Sequence, residues 1–281
     1  MKRWEFSTVM LWVGLVFLYL PMLILIIYSF NASKLVTVWG GFSAKWYGEL
    51  FKDEQILQAV WTSLRIAFYS STMAVIIGTL AAFVMTRFRR SWGRLTLSNM
   101  ITAPLVMPDV IIGLSLLLLF VQMGELFGWP AERGMTTVWI AHSTFCAAYV
   151  AVVVSSRLRE LDFSIEEAGM DLGATPLKVF FVITMPMIAP ALIAGWLLSF
   201  SLSLDDLVIA SFVSGPGSTT LPMVVFSSVR LGVSPKINAL ATLIIVVVSL
   251  FAFLSWYIAK RAEQKSLEEM KRLKEETEQA S

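Results

Sequence analysis

Three aspartates stand inside apolar runs of this chain. Asp109 lies in "MPDVIIG", and Asp205 with Asp206 in "SLDDLVIA". Asp109 follows Pro108, whose missing N–H and ring loosen the helix, and a broken helix at depth is tolerated where it lines a cavity. An aspartate at the middle of a membrane helix costs on the order of 2.5–3.5 kcal/mol on insertion scales, so acids kept there are candidates for handling charge. Carboxylates lining a pathway offset the desolvation of ammonium groups, and aromatic faces add cation–π attraction of about 0.5–2 kcal/mol each. The substrate such residues suit is a cation, with Trp139 and Tyr149 as the candidate rings. Successive residues on a helix are about 100° apart, so Asp205 and Asp206 cannot share a direction. One can face a pathway. The other should pair with a neighbouring helix or a hydroxyl, with Ser199, Ser201 and Ser203 close by in sequence. Arg65, His142 or a second subunit are the competing partners for these acids.

A different kind of chemistry is written in "IEEAGMDLGATPLKVFFVITMP", residues 165–186. Ser164 and Glu167 have the spacing of a capping box, which predicts a helix from about Ile165 through Leu172. Gly173 supplies a left-handed stop. Thr175 is placed to cap a second helix with Pro176 in its first turn. Ala168 and Gly169 have almost no side chain, so another surface could approach closely. A tether needs none of this, and the segment reads as a rigid knob shown to a partner.

Other chemistries are excluded. The single His142 and single Cys146 sit in one apolar run and make no disulfide framework, metal cluster or nucleophile–base set. His142 reads as a helix-packing hydrogen-bonder and Cys146 as a small buried residue. There is no G-x-x-x-x-G-K-[ST] loop; "SGPGSTT" at 214–220 lacks the lysine and reads as an outer loop. The chain is therefore not expected to hydrolyse ATP or to hold a cofactor. Its net charge of +2 is too small to suggest nucleic acid.

The elements that must position these residues follow from composition. The 281 residues are 57% hydrophobic and 15% charged, against about a quarter charged in soluble domains. Six segments approach the roughly 20 apolar residues of a membrane helix: about 9–30, 60–86, 96–122, 135–155, 187–212 and 238–259. Alternation is absent, so a barrel is excluded and the predicted fold is all-α: a six-helix membrane domain over 1–259 and a charged tail over 260–281. The first run is too long for a secretory signal core and reads as an uncleaved span. Of the 22 lysines and arginines, fifteen fall at the two termini and in the loops around 87–94 and 157–178, six fall in the opposite loops, and Arg65 lies within a span. The positive-inside rule then puts both termini and the 164–186 segment in the cytosol. The outer loop 31–59 carries Trp39, Phe42, Trp46, Tyr47 and Phe51 and predicts an interfacial helix. In the tail, Glu268 with Arg272 and Lys271 with Glu275 fit a solvated helix.

Glu167-Ala168-Gly169, three residues, Gly173, nine residues, then Ile183-Thr184-Met185-Pro186 resembles the EAA signature of permeases in ABC importers fed by a binding protein. Gly169 replaces an alanine and Met185 a leucine. The stretches 28–51, 103–120, 155–176 and 201–235 are similar to polyamine importer permeases, those for putrescine above all. The resemblance implies that 164–186 is a coupling segment seated on a separate ATP-binding subunit. Glu166, Glu167, Ala168, Gly169, Asp171 and Gly173 are then its coupling residues, Glu167 and Gly173 foremost. It also implies a sister permease, an external substrate-binding protein, ATP and Mg held by the partner alone, and residence in a bacterial inner membrane.

Overall fold

Backbone amides in lipid find partners only within a helix or a closed barrel. The computed structural model, which describes residues 3–35, 38–87, 92–232, 234–250, 253, 257 and 260, is all-α. In chain order the helices are α1 (Arg3–Ser29), α2 (Lys45–Leu50), α3 (Glu54–Arg87), α4 (Trp92–Thr102), α5 (Asp109–Phe127), α6 (Met135–Glu160), α7 (Ser164–Asp171), α8 (Pro176–Val179), α9 (Met185–Asp205), α10 (Val208–Val213), α11 (Leu221–Leu231) and α12 (Pro235–Leu250). Five stretches among the described residues are long and apolar enough to cross a membrane: Phe6–Ser29, Glu54–Arg87, Asp109–Phe127, Met135–Glu160 and Pro176–Asp205. The predicted sixth span, 238–259, overlaps α12, which among the described residues is a shorter apolar helix; most of 251–259, and the tail with its Glu268–Arg272 and Lys271–Glu275 pairs, lie outside the described residues.

Two predicted spans are redrawn. The run 96–122 is not one helix. It divides into α4, a tight turn at Ala103–Leu105, and α5, which starts at Asp109. Pro104 and Pro108 each disfavour helical geometry in the residue before them, and Pro108 is extended at ψ 137°. The fifth span does not start at 187. It runs without interruption from Pro176 to Asp205 and breaks there, so 206–212 belong to the break and to α10. Pro186 is accommodated because Phe180–Thr184 form a wider π turn before it, which removes the clash between the proline ring and the preceding turn.

The chain folds as two compact units, Glu54–Ser227 and Met1–Asp53 with Ser228–Ser281. In the first, α3, α6 and α9 pack side by side. Small residues at helical spacing on α3 (Ser63, Ala67, Ser70, Ala74, Gly78, Ala82) are buried there and let the helices approach closely. A Cβ on Gly78 would stand 2.7 Å from Val150 Cβ on α6. Ser70 Oγ donates across the seam to the Trp139 carbonyl at 3.2 Å.

In the second unit, the predicted interfacial helix is α2, but its aromatic residues do not all lie at the surface. Trp46 is buried and its indole N–H donates to the Asn31 carbonyl at 2.6 Å. The Asn31 side chain donates to the Val38 carbonyl and accepts from the Gly40 amide, tying the loop into a knot. Lys236 and Asp53 form an ion pair at 3.1 Å in the same unit.

Candidate functional site

The elbow joining α6 to α9 is built as the residues dictate, with two corrections. Gly173 has φ +83°, the left-handed value that stops a helix, and its amide donates to the Met170 carbonyl. Thr175 Oγ1 accepts from the Lys178 amide at 3.4 Å, with Pro176 in the first turn of α8. The capping box of Ser164 and Glu167 does not form. Helix α7 begins at Ser164, and Asp162 Oδ1 accepts the Ser164 amide at 3.0 Å, so the aspartate takes the role expected of the serine. That amide bond, with the Ser164 hydroxyl, holds the Asp162 carboxyl below the usual carboxylate range. Nor does Gly169 open the elbow to a visitor. It is buried, and a Cβ there would meet Ile183 Cδ1 at 2.7 Å and Val179 Cγ2 at 3.3 Å, so its smallness serves the chain's own second limb. Ala168 remains exposed.

The two adjacent acids of the elbow face opposite ways. Glu167 is exposed, as are Asp171, Leu172, Gly173 and Leu177. Leu172 is 90% exposed, the most exposed large apolar side chain among the described residues. Glu166 is 6% exposed and turns into the protein. Its Oε1 accepts from Arg87 Nη2 at 2.8 Å, Arg87 Nε at 3.2 Å and Thr184 Oγ1 at 3.1 Å.

At the opposite end of the same helices, the acids Asp205 and Asp206 mark the break between α9 and α10. Asp206 Oδ2 lies 3.1 Å from His142 Nε2 and accepts the Ala210 amide at 2.7 Å; Oδ1 accepts the Ile209 amide at 3.2 Å. It thus caps α10 and ties it to α6. His142 is fully buried, and its Nδ1 pairs with Ser203 Oγ at 2.7 Å. Asp205 is exposed. Of the nearby serines, Ser203 therefore serves the histidine rather than the acids. Arg65, a competing partner, instead lies over the Trp61 ring at 4.7 Å.

Asp109 is exposed in the first turn of α5, where a carboxylate complements the helix dipole. It is not at mid-helix: Pro108 ends the preceding stretch outright rather than loosening a continuous span. One turn on, Gly113 lets α10 approach, its missing Cβ 2.7 Å from Phe212 Cδ2. The start of α5 and the α9–α10 break thus share a neighbourhood. Trp139 is half-buried, with its indole nitrogen lacking a hydrogen-bond partner among the described residues. Tyr149 packs edge-on against Phe145, which packs against His142. Among the described residues, neither side chain hydrogen-bonds to an acid. The described residues contain no group of three or more His, Cys, Asp or Glu able to hold a metal ion.

Residues 74–266 match the family described as "Binding-protein-dependent transport system inner membrane component". The chain belongs to this family. It is 65% identical over 270 residues, 96% of each chain, to "Putrescine transport system permease protein PotI" of Escherichia coli strain K12. It is 40% identical over 244 residues, 87% of this chain and 90% of the relative, to "Spermidine/putrescine transport system permease protein PotC" of the same strain. In fold it is similar to a chain of a bacterial ABC transporter that imports alginate, with a TM-score of 0.73 at 16% identity over 90% of this chain and 95% of that one. Both sites lie inside the matched stretch.

Three residues that hold this family member's elbow in place carried no functional signal in the sequence. Arg87 enters there only as one charge in a basic loop, Thr184 occupies the free position of the Ile-x-Leu-Pro motif, and Phe163 precedes the motif. Their roles depend on partners far along the chain: Arg87 is 79 residues from Glu166.

Proposed function

We propose that this chain is the permease subunit of an ATP-driven importer that carries putrescine or another polyamine. Full-length likeness carries this reading: 65% identity to a putrescine permease over 96% of both chains. An external binding protein delivers the cation. A sister permease completes the pathway, and a separate subunit binds ATP and Mg and hydrolyses the nucleotide. The chain crosses the inner membrane six times with both termini and the elbow in the cytosol, as the distribution of lysine and arginine requires.

In this scheme Glu167, Ala168, Asp171, Leu172 and Gly173 form the face gripped by the ATPase. An exposed leucine beside exposed acids on a stiff turn supplies an apolar anchor with a polar rim, the makeup of a docking surface. Asp205 is the acid on the cation's route, with Asp109 near it and Trp139 and Tyr149 as further contributors. Asp206 fixes the helix break that presents Asp205. The motor shifts the pathway only by contacting its two access states differently.

The test is uptake of labelled putrescine into proteoliposomes that hold the complete complex. The expected result is uptake that requires ATP and persists after the proton gradient is collapsed. Uptake indifferent to ATP and abolished with the gradient would overturn the reading in favour of a secondary transporter.

A further inference from the structure

Glu166 joins three elements through one carboxylate oxygen. It stands on α7, receives Arg87 from the last turn of α3, and receives Thr184 from the π turn that leads into α9. The side chains of Arg87 and Glu166 are 12% and 8% exposed, and Thr184 is 1% exposed. The Arg87 guanidinium also lies 5.3 Å over the ring of Phe163, just before α7 begins. Arginine thus holds the start of the elbow by an ion pair on one side and a ring on the other.

Stability alone does not account for a charged pair here. A buried ion pair roughly breaks even against apolar side chains of similar volume, whereas leaving one charge unpartnered is costly. What the pair adds is direction. Two N–H donors of one planar guanidinium on one oxygen fix angle as well as distance. The other seat of α7 is apolar: Gly169 lies against Val179 and Ile183 on α8 and the π turn. That seat leads only into α9, through a turn whose wider hydrogen bonding can absorb displacement. The polar seat leads into α3, the longest described helix, which packs along both α6 and α9.

We propose that Arg87 and Glu166 are positioning residues of transport, a buried clamp that passes movement of the elbow into α3. The proposal rests on the importer reading given above. It assigns Glu166 to the interior of the permease and leaves the gripping of the motor to its neighbour Glu167.

The complete complex in proteoliposomes, with wild-type chain or with Glu166→Gln, Arg87→Met or Arg87→Met/Glu166→Met, is compared by putrescine imported per ATP hydrolysed. Glu166→Gln should still co-purify with the ATPase and hydrolyse ATP, while import per ATP falls roughly tenfold, within the range of coupling shifts from single side chains. The double methionine variant should recover any lost assembly, because no charge is left buried, and remain uncoupled. Normal import per ATP in Glu166→Gln, or full recovery of coupling in the double variant, overturns the clamp. Wild-type complex that imports no putrescine contradicts the cargo reading instead. For that case a second measurement needs no cargo. Spin labels at Leu80→Cys and Leu172→Cys, in a Cys146→Ala full chain in nanodiscs, should give a narrow distance distribution that broadens with Glu166→Gln. An unchanged distribution overturns the clamp.

Discussion

The elbow and the α9–α10 break lie at opposite ends of the packed helices, yet each is organised around two adjacent acids. At the elbow, Glu166 is buried against Arg87 and Glu167 is exposed. At the break, Asp206 is held by His142 and two backbone amides, and Asp205 is exposed. One acid of each pair is tied into the fold and the other is exposed. The roughly 100° between successive helical residues parts Glu166 from Glu167 on α7, whereas Asp206 turns from Asp205 because the chain becomes extended, at ψ 124°, where α9 ends. The regions differ in what the inner acid fixes. Glu166 binds across elements by a side-chain ion pair, whereas Asp206 also caps a helix, so its loss should be felt in stability first.

That difference can be broken experimentally. Asp206→Ala carries the largest expected effect. It removes the cap of α10 and strands His142 and two amides, at a cost of about 3 kcal/mol, read as a lower thermal midpoint of the purified complex. A midpoint equal to wild type would remove Asp206 from its structural role. Gly173→Asp comes next. A side chain at φ +83° costs about 1–2 kcal/mol locally, and the new charge meets the docking surface. ATP hydrolysis should then proceed without matching uptake; normal coupling would show that the turn tolerates change and that the elbow is not the handle.

Gly169→Ala sharpens the contrast between the two glycines. Gly173 has open space but a demanding φ, while Gly169 has ordinary helical geometry and no room. Ile183 Cδ1 can swing aside, but Val179 must give, so about 1 kcal/mol of overpacking is expected. Chemical denaturation of the purified full chain should show it, and an unchanged midpoint would mean the neighbours relax freely. The exposed acids carry the smallest effect on stability. Glu167→Gln and Asp205→Asn should each shift it by no more than about 0.5 kcal/mol. They should part in function: Glu167→Gln weakens ATPase association, while Asp205→Asn raises the KM for putrescine severalfold. If the two variants behave alike, the division of labour between the ends is wrong.

The sequence was most legible where the physics is local. Long apolar runs give α1, α3 and α6, and Gly173, Thr175 and Pro176 announce the turn they form. Legibility fails where local signals compete. Pro108 signals a loosened helix before Asp109, but apolar residues continue from 96 to 122, and their run hides that the segment divides into two separate helices. Ser164 has the right spacing for a cap, but Asp162 reaches its amide first. Periodicity requires that Asp205 and Asp206 diverge but cannot say which turns inward. That is decided by His142, 64 residues from Asp206.

The most direct measurement of the central claim labels carboxylates in the unmutated protein. Carbodiimide-driven coupling of glycine ethyl ester, read by fragment mass spectrometry, distinguishes adjacent acids. Glu167 and Asp205 should label quickly and Glu166 and Asp206 slowly, and adding the ATPase subunit should protect Glu167 while leaving Asp205 unchanged. Equal labelling within each pair, or a Glu167 rate indifferent to the ATPase, would contradict the account.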